Sequence, residues 1–130
     1  MRFNSLQNPT PSAAPNRFVL LEHRWNGVHW DLMLEAGDRL RTWALTHLPV
    51  PGINIGATSL PDHRVVYLDY EGPISNDRGT VLRIDRGTYH PILWTEDRVV
   101  IQLFGDQVIG EAELVRLGDR GWRFRIGNLI

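Results

Sequence analysis

Cysteine is absent from this 130-residue chain, and so is lysine: all 14 basic residues are arginines. Without thiols there is no disulfide framework and no thiolate metal site, which suits a reducing cytoplasm, and any bound metal has to sit on nitrogen and oxygen ligands. Arginine pairs bidentately with phosphate, so an all-arginine chain is compatible with phosphate recognition. A genome-wide bias toward arginine codons accounts for the same fact. Long apolar runs are missing too: nothing approaches the roughly 18 residues of a membrane span. The opening "MRFNSLQNPTPSAAPNR" lacks the apolar core of a signal peptide, so a soluble, cytoplasmic protein with no membrane partner is expected. Excess charge is lacking as well. With a formal net charge of −1, any nucleic-acid binding has to come from a local patch.

What is present is a series of short apolar segments separated by turn signals. Residues 1–16 carry three prolines among small and polar residues and read as a flexible arm, leaving a single domain over 17–130. From Arg17 the chain runs "RFVLLEH", "HWDLMLEA", "RLRTWALT", "HRVVYLDYE", "GTVLRIDR", "TYHPILWT", "RVVIQLFG", "VIGEAELVRL" and "WRFRIGNLI". Segments of this length, rich in Val, Ile, Trp, Tyr and Phe, predict an all-β sandwich or barrel. No window reads as a long amphipathic helix. The stretch Leu48 to Asp62, with three prolines and two glycines, reads as the longest loop.

The period-two alternation of a strand gives the polar residues their meaning. In "HWDLMLE" the core takes Trp30, Leu32 and Leu34, while His29, Asp31, Met33 and Glu35 share the other face. His29 and Asp31 then stand about 7 Å apart along the strand, close enough for both to reach one ion. Five residues separate His23 from His29, with Asn26-Gly27 as a turn signal, so the chain can fold back to set the two histidines face to face. Two imidazoles and a carboxylate are a common ligand set for Zn²⁺, Mn²⁺ or Fe²⁺, and three protein ligands leave positions open for water or substrate. Structural hydrogen bonding accounts for such histidines equally well. In "DHRVVYLDYEG" the same alternation predicts a second row, His63, Val65, Tyr67, Asp69 and Glu71, with His63 and Tyr67 about 13 Å apart on an ideal strand.

In order, the chain offers His23, "HWDLMLE", "LRTWALTHLP", "DHRVVYLDYEGPIS", "IDRGTYHP" and "GDQVIGEAELVR". It resembles the 3′-phosphoesterase domain found at the N-terminus of bacterial DNA ligase D. That family reads as a histidine, five residues and "HYDFRLE", followed by "LKSWAVPKGP", "DHPLDYxxFEGxIP", "WDxGxW" and "GxxLxGxxxLxR". The match runs from about Arg17 to Arg116. The resemblance implies a small antiparallel β-barrel with long loops and little helix. It also implies a divalent metal, typically manganese with zinc as the alternative, bound at His23, His29 and Asp31. His63 falls on a family histidine that contacts the scissile phosphate, and Tyr67 on a tyrosine of the same site. The implied activity is removal of a 3′-phosphate or 3′-ribonucleotide from nucleic-acid ends in DNA repair. A monomer is expected, with nucleic-acid 3′ ends and DNA-repair proteins as its partners.

Met33 stands where the family has a phosphate-clamping arginine, His47 where it has a lysine, and "ISNDRG" shortens a longer loop. His47 and Arg41 are the expected substrate contacts, with Arg24, Arg78 and Arg83 as further candidates to fill the gap. Two other readings stay open. One is a binding module for nucleic-acid ends or repair partners that has kept the metal and lost the chemistry. The other is an iron oxygenase using His29, Asp31 and His63 as a two-histidine, one-carboxylate set.

Overall fold

The computed structural model describes residues 9–13 and 15–127; residues 1–8 and 14 of the N-terminal arm lie outside them. Among the described residues nine strands form: β1 (Asn16–Arg24), β2 (Val28–Ala36), β3 (Arg39–Leu45), β4 (Ile55–Arg64), β5 (Gly72–Pro73), β6 (Thr80–Trp94), β7 (Arg98–Gly105), β8 (Ile109–Arg116) and β9 (Gly121–Ile126). The ladder order β1-β2-β3-β4-β9-β8-β7-β6 closes through a β1–β6 pairing into an antiparallel barrel of 8 strands, with β5 added on the edge of β6. Closure removes the free edges that an open sheet would expose.

Alternation fills the interior. Phe18 and Leu20 of β1, Leu32 and Leu34 of β2, Trp43 and Leu45 of β3, and Trp122, Phe124 and Ile126 of β9 all enter one cluster with Tyr89, Ile101, Leu103 and Leu114. Trp43 and Trp122 meet edge to face at 5.4 Å. A second cluster lies outside the barrel wall. Val19, Leu21, Met33, Leu40 and Val81 are covered there by Leu68, with Tyr67, Tyr70 and Ile74 packed against them. The wall made by β1 to β3 is therefore buried on both faces in this region, which is why β1 reads as a continuous apolar run.

Three expectations are corrected. The predicted loop from Leu48 to Asp62 is strand from Ile55 onward. Pro61 is tolerated in β4 because β9 pairs only with Ile55 to Thr58 and the β3 register shifts beside it, so its missing N–H breaks no ladder bond. The predicted strand "HRVVYLDYE" ends at Arg64, and Val65–Leu68 is a 3-10 helix. That turn leaves Val65 and Val66 exposed and drops Leu68 onto the outer cluster. Finally, "GTVLRIDR" and "TYHPILWT" are one 15-residue strand, β6. Gly87 is not a turn: a Cβ there would lie 2.0 Å from the Phe104 carbonyl oxygen, so glycine permits the close approach of β6 and β7.

Candidate functional site

The β1–β2 hairpin sets His23 directly opposite His29, and Leu21 opposite Asp31. Its turn uses Asn26 at φ 53° and Gly27 at φ 109°, left-handed conformations that Asn and Gly adopt at little cost. The histidine rings stand 4.8 Å apart at 72°. One Asp31 oxygen lies 2.8 Å from His29 Nδ1, and the other 3.4 Å from His23 Nδ1. Asp31 is buried, 2 % exposed, and the hydrogen bond from His29 Nδ1 offsets part of its desolvation cost.

The His23 Nε2–H donates to the Arg78 carbonyl at 2.8 Å, which assigns the tautomer and turns Nδ1 toward Asp31. A histidine tied through its far nitrogen to a carbonyl is the arrangement that orients metal-ligating imidazoles. Each of His23, His29 and Asp31 offers a ligand atom within 4.8 Å of the others. This nitrogen and oxygen set fits a borderline divalent cation and leaves room for further ligands. The hydrogen bond to Asp31 raises the His29 pKa, partly opposed by burial and further supported by the charge of Asp31. A cation at this site would take the place of that proton.

His63 sits on β4 opposite Leu40, which in turn pairs with Glu35 of β2. Glu35 lies four residues, about 13 Å, along β2 from Asp31. His63 and Tyr67 therefore occupy the same outer face as the triad without touching it, and Met33, Leu21 and Leu40 lie between them beneath Tyr67. The 3-10 turn brings the two rings to 5.7 Å at 72°, closer than a strand would allow. His63 donates through Nδ1–H to the Pro61 carbonyl at 2.9 Å, leaving Nε2 for another partner. The oxygenase set of His29, Asp31 and His63 is not the one that converges; the third donor is His23.

His47 is exposed at the triad's end of the barrel, its ring 6.2 Å from Trp30 and its Nδ1–H on the Leu48 carbonyl at 2.8 Å. Arg41 is elsewhere. It shares a face with Trp43 and Leu45 and so points into the barrel, with its guanidinium 4.1 Å from the Trp43 ring centroid and 5.6 Å from that of Trp122. Burial lowers its pKa, with Asp62 opposing. Among the other arginines, Arg24 pairs with Glu22 at 2.8 Å. Arg78, whose carbonyl holds His23, donates to the Ser75 carbonyl at 2.9 Å and to the Ser75 hydroxyl at 3.3 Å.

Sequence reasoning missed two further roles. Asp85 is buried and its carboxylate accepts from the backbone N–H groups of Arg86, Asp106, Gln107 and Val108, which locks the β7–β8 turn. Gly79, at φ 82°, lets the 75–79 loop press onto the hairpin, since a Cβ there would lie 1.9 Å from the Arg24 carbonyl oxygen.

A family model described as the DNA ligase D 3′-phosphoesterase domain matches residues 21–116. The multifunctional non-homologous end joining DNA repair protein LigD of Mycobacterium tuberculosis is 33% identical over 135 residues, covering 92% of this chain and 18% of that protein. The corresponding LigD of Pseudomonas aeruginosa is 28% identical over 115 residues, covering 81% of this chain and 14% of that protein. The chain thus spans less than a fifth of these relatives' length.

Proposed function

The chain belongs to the DNA ligase D 3′-phosphoesterase domain family, and from that premise we propose that it is a divalent-metal phosphoesterase acting on nucleic-acid 3′ ends in DNA repair. The observation that carries the reading is the convergence of His23, His29 and Asp31, with the His63–Tyr67 pair further along the same face. The three donors hold the cation, which we take to be Mn²⁺, with Zn²⁺ as the alternative. When bound, such a cation polarises a phosphoryl oxygen and lowers the pKa of a coordinated water.

The chain's own side chains do the rest. Asp31 and the Arg78 carbonyl fix the orientation of both imidazoles. His63, with Nδ1–H engaged by the Pro61 carbonyl, acts as the imidazolium: its Nε2–H donates to a phosphate oxygen, or passes its proton to the leaving-group oxygen and leaves neutral imidazole. Tyr67 packs against the His63 ring and orients it. Phosphoryl transfer depends chiefly on such positioning and on stabilising oxygen charge. His47 and Arg78 are the basic groups we assign to the substrate at this end of the barrel.

The test uses a labelled primer-template ending in a 3′-phosphate or 3′-ribonucleotide, with and without Mn²⁺. Wild type is expected to trim it only with the metal, and His29→Ala to lose that trimming while keeping its circular dichroism. Undiminished turnover in His29→Ala would sink the proposal.

One observation favours the second reading, an end-binding module without turnover. Met33, at the position of the family arginine, is 1 % exposed beneath Tyr67 and Leu68, so no guanidinium comes from that position. Metal-dependent, salt-sensitive binding to a recessed end without trimming would establish that reading instead.

A further inference from the structure

Trp25 is 43 % exposed, although a tryptophan has more apolar surface to hide than almost any other side chain. It occupies the β1–β2 turn, two residues from His23, and the two rings lie 6.1 Å apart and within 21° of parallel. Its backbone and Cβ are held from both sides. Trp25 N–H donates to the Gly27 carbonyl at 2.9 Å, and a Cβ on Gly79 would lie only 2.7 Å from Trp25 Cβ, so the 75–79 loop wedges it in place. Val28, paired with Arg24 across the same hairpin, adds exposed apolar surface at 42 %. Arg78, in the loop that wedges Trp25, makes no ion pair among the described residues; its guanidinium hydrogen-bonds to Ser75.

A flat aromatic surface beside a phosphate-processing centre, with a cation in the adjoining loop, is the pairing used to hold single strands: bases stack on the ring and the backbone follows the charge. We propose that Trp25 is the stacking platform for the 3′-terminal nucleobase, and that Arg78 takes the phosphate next to it. This rests on the phosphoesterase reading and deepens it. The end is held by its base, beside a triad whose neighbouring wall is apolar at Met33. Selectivity follows: an end that has lost its terminal base binds poorly, whereas the identity of that base matters little, because every base has a π-face.

The experiment compares two primer-templates, one with an ordinary terminal nucleotide and one ending in an abasic residue. Binding is read by fluorescence anisotropy on 3′-hydroxyl ends, which present nothing to cleave, and trimming is read separately on 3′-phosphate ends with Mn²⁺. Wild type is expected to prefer the ordinary end roughly 5- to 150-fold, the range of one base–aromatic stack. Trp25→Leu, which keeps an apolar cover over the hairpin, is expected to lose that preference, and Trp25→Tyr to retain most of it. If wild type shows no preference, or Trp25→Leu keeps it, the platform is overturned, and continued trimming would leave the phosphoesterase standing. A Trp25-dependent preference without any trimming would support the platform and remove the hydrolysis. Neither trimming nor preference would remove both.

Discussion

At one end of the barrel His23, His29 and Asp31 meet on the outer wall; toward the other, Arg41 lies inside, over Trp43, at the edge of a cavity of about 730 Å³ lined also by Asp62, Trp94, Glu96, Arg116, Asp119 and Trp122. Both regions combine aromatic rings with ionisable groups. They differ in what those groups face. At the triad a buried carboxylate gives each oxygen to an imidazole, and the backbone fixes the far side of His23, so the donors converge on a shared point. At the mouth Arg41 lies over the tryptophans, and Arg116 reaches Asp97 at 3.5 Å and Asp119 at 3.8 Å. Convergence of lone pairs makes a candidate metal centre, whereas arginines set over rings and beside carboxylates do not.

The wall between the two regions is the most sensitive place to break this contrast. Met33→Arg would restore the family's residue type but force a guanidinium into the cluster beneath Tyr67 and Leu68. We expect a loss of roughly 3–5 kcal/mol of stability, the cost of an uncompensated buried charge, read by urea denaturation. Unchanged stability would mean that the covering segment lifts easily and that the outer face is more open than described.

At the mouth, Arg41→Ala removes the guanidinium from the two tryptophan rings and is expected to cost about 1–2 kcal/mol, read as a lower melting temperature. Smaller still is the effect of Glu113 on β8, which ties Arg98 of β7 to Arg123 of β9 at 2.7 and 2.9 Å. Its hydrogen bond from Arg98 lowers its pKa below the ordinary 4.5, with burial opposing and Arg123 assisting. A depressed carboxylate pKa contributes stability that is complete above the unfolded value and is lost as pH falls through the folded one. Glu113→Gln should therefore be less stable than wild type at neutral pH, by under about 1 kcal/mol for so exposed a pair. The difference should vanish at low pH, below the depressed value. A difference that persisted there would point to packing instead of charge.

The triad was legible because its geometry is local. His29 and Asp31 share a face by alternation alone, and Asn26-Gly27 announces the turn that returns His23 to them. The spacing of short apolar segments predicted an all-β sandwich or barrel, and the family resemblance implied the barrel that forms. What was not legible depends on distant partners. "HRVVYLDYE" alternates well enough for a strand, and only the outer cluster, built from β1, β2, β3 and β6, draws Leu68 down into a 3-10 turn. Asp85 gave no signal, since three of its four partners are backbone amides more than twenty residues away. Arg41 is different, because "RLRTWALT" does carry the signal. Its alternation groups Arg41 with Trp43 and Leu45, which marks an inward side chain, whereas the expected substrate contact requires an outward one.

The most direct test sets the two regions against each other in one assay: Mn²⁺-dependent trimming of a 3′-phosphate primer-template by His23→Ala and by Arg41→Ala, each checked for folding at the assay temperature. The triad as active centre predicts that His23→Ala falls to the rate without metal while Arg41→Ala keeps trimming. Loss of trimming in Arg41→Ala, with His23→Ala still active, would contradict it and move the chemistry to the other end of the barrel.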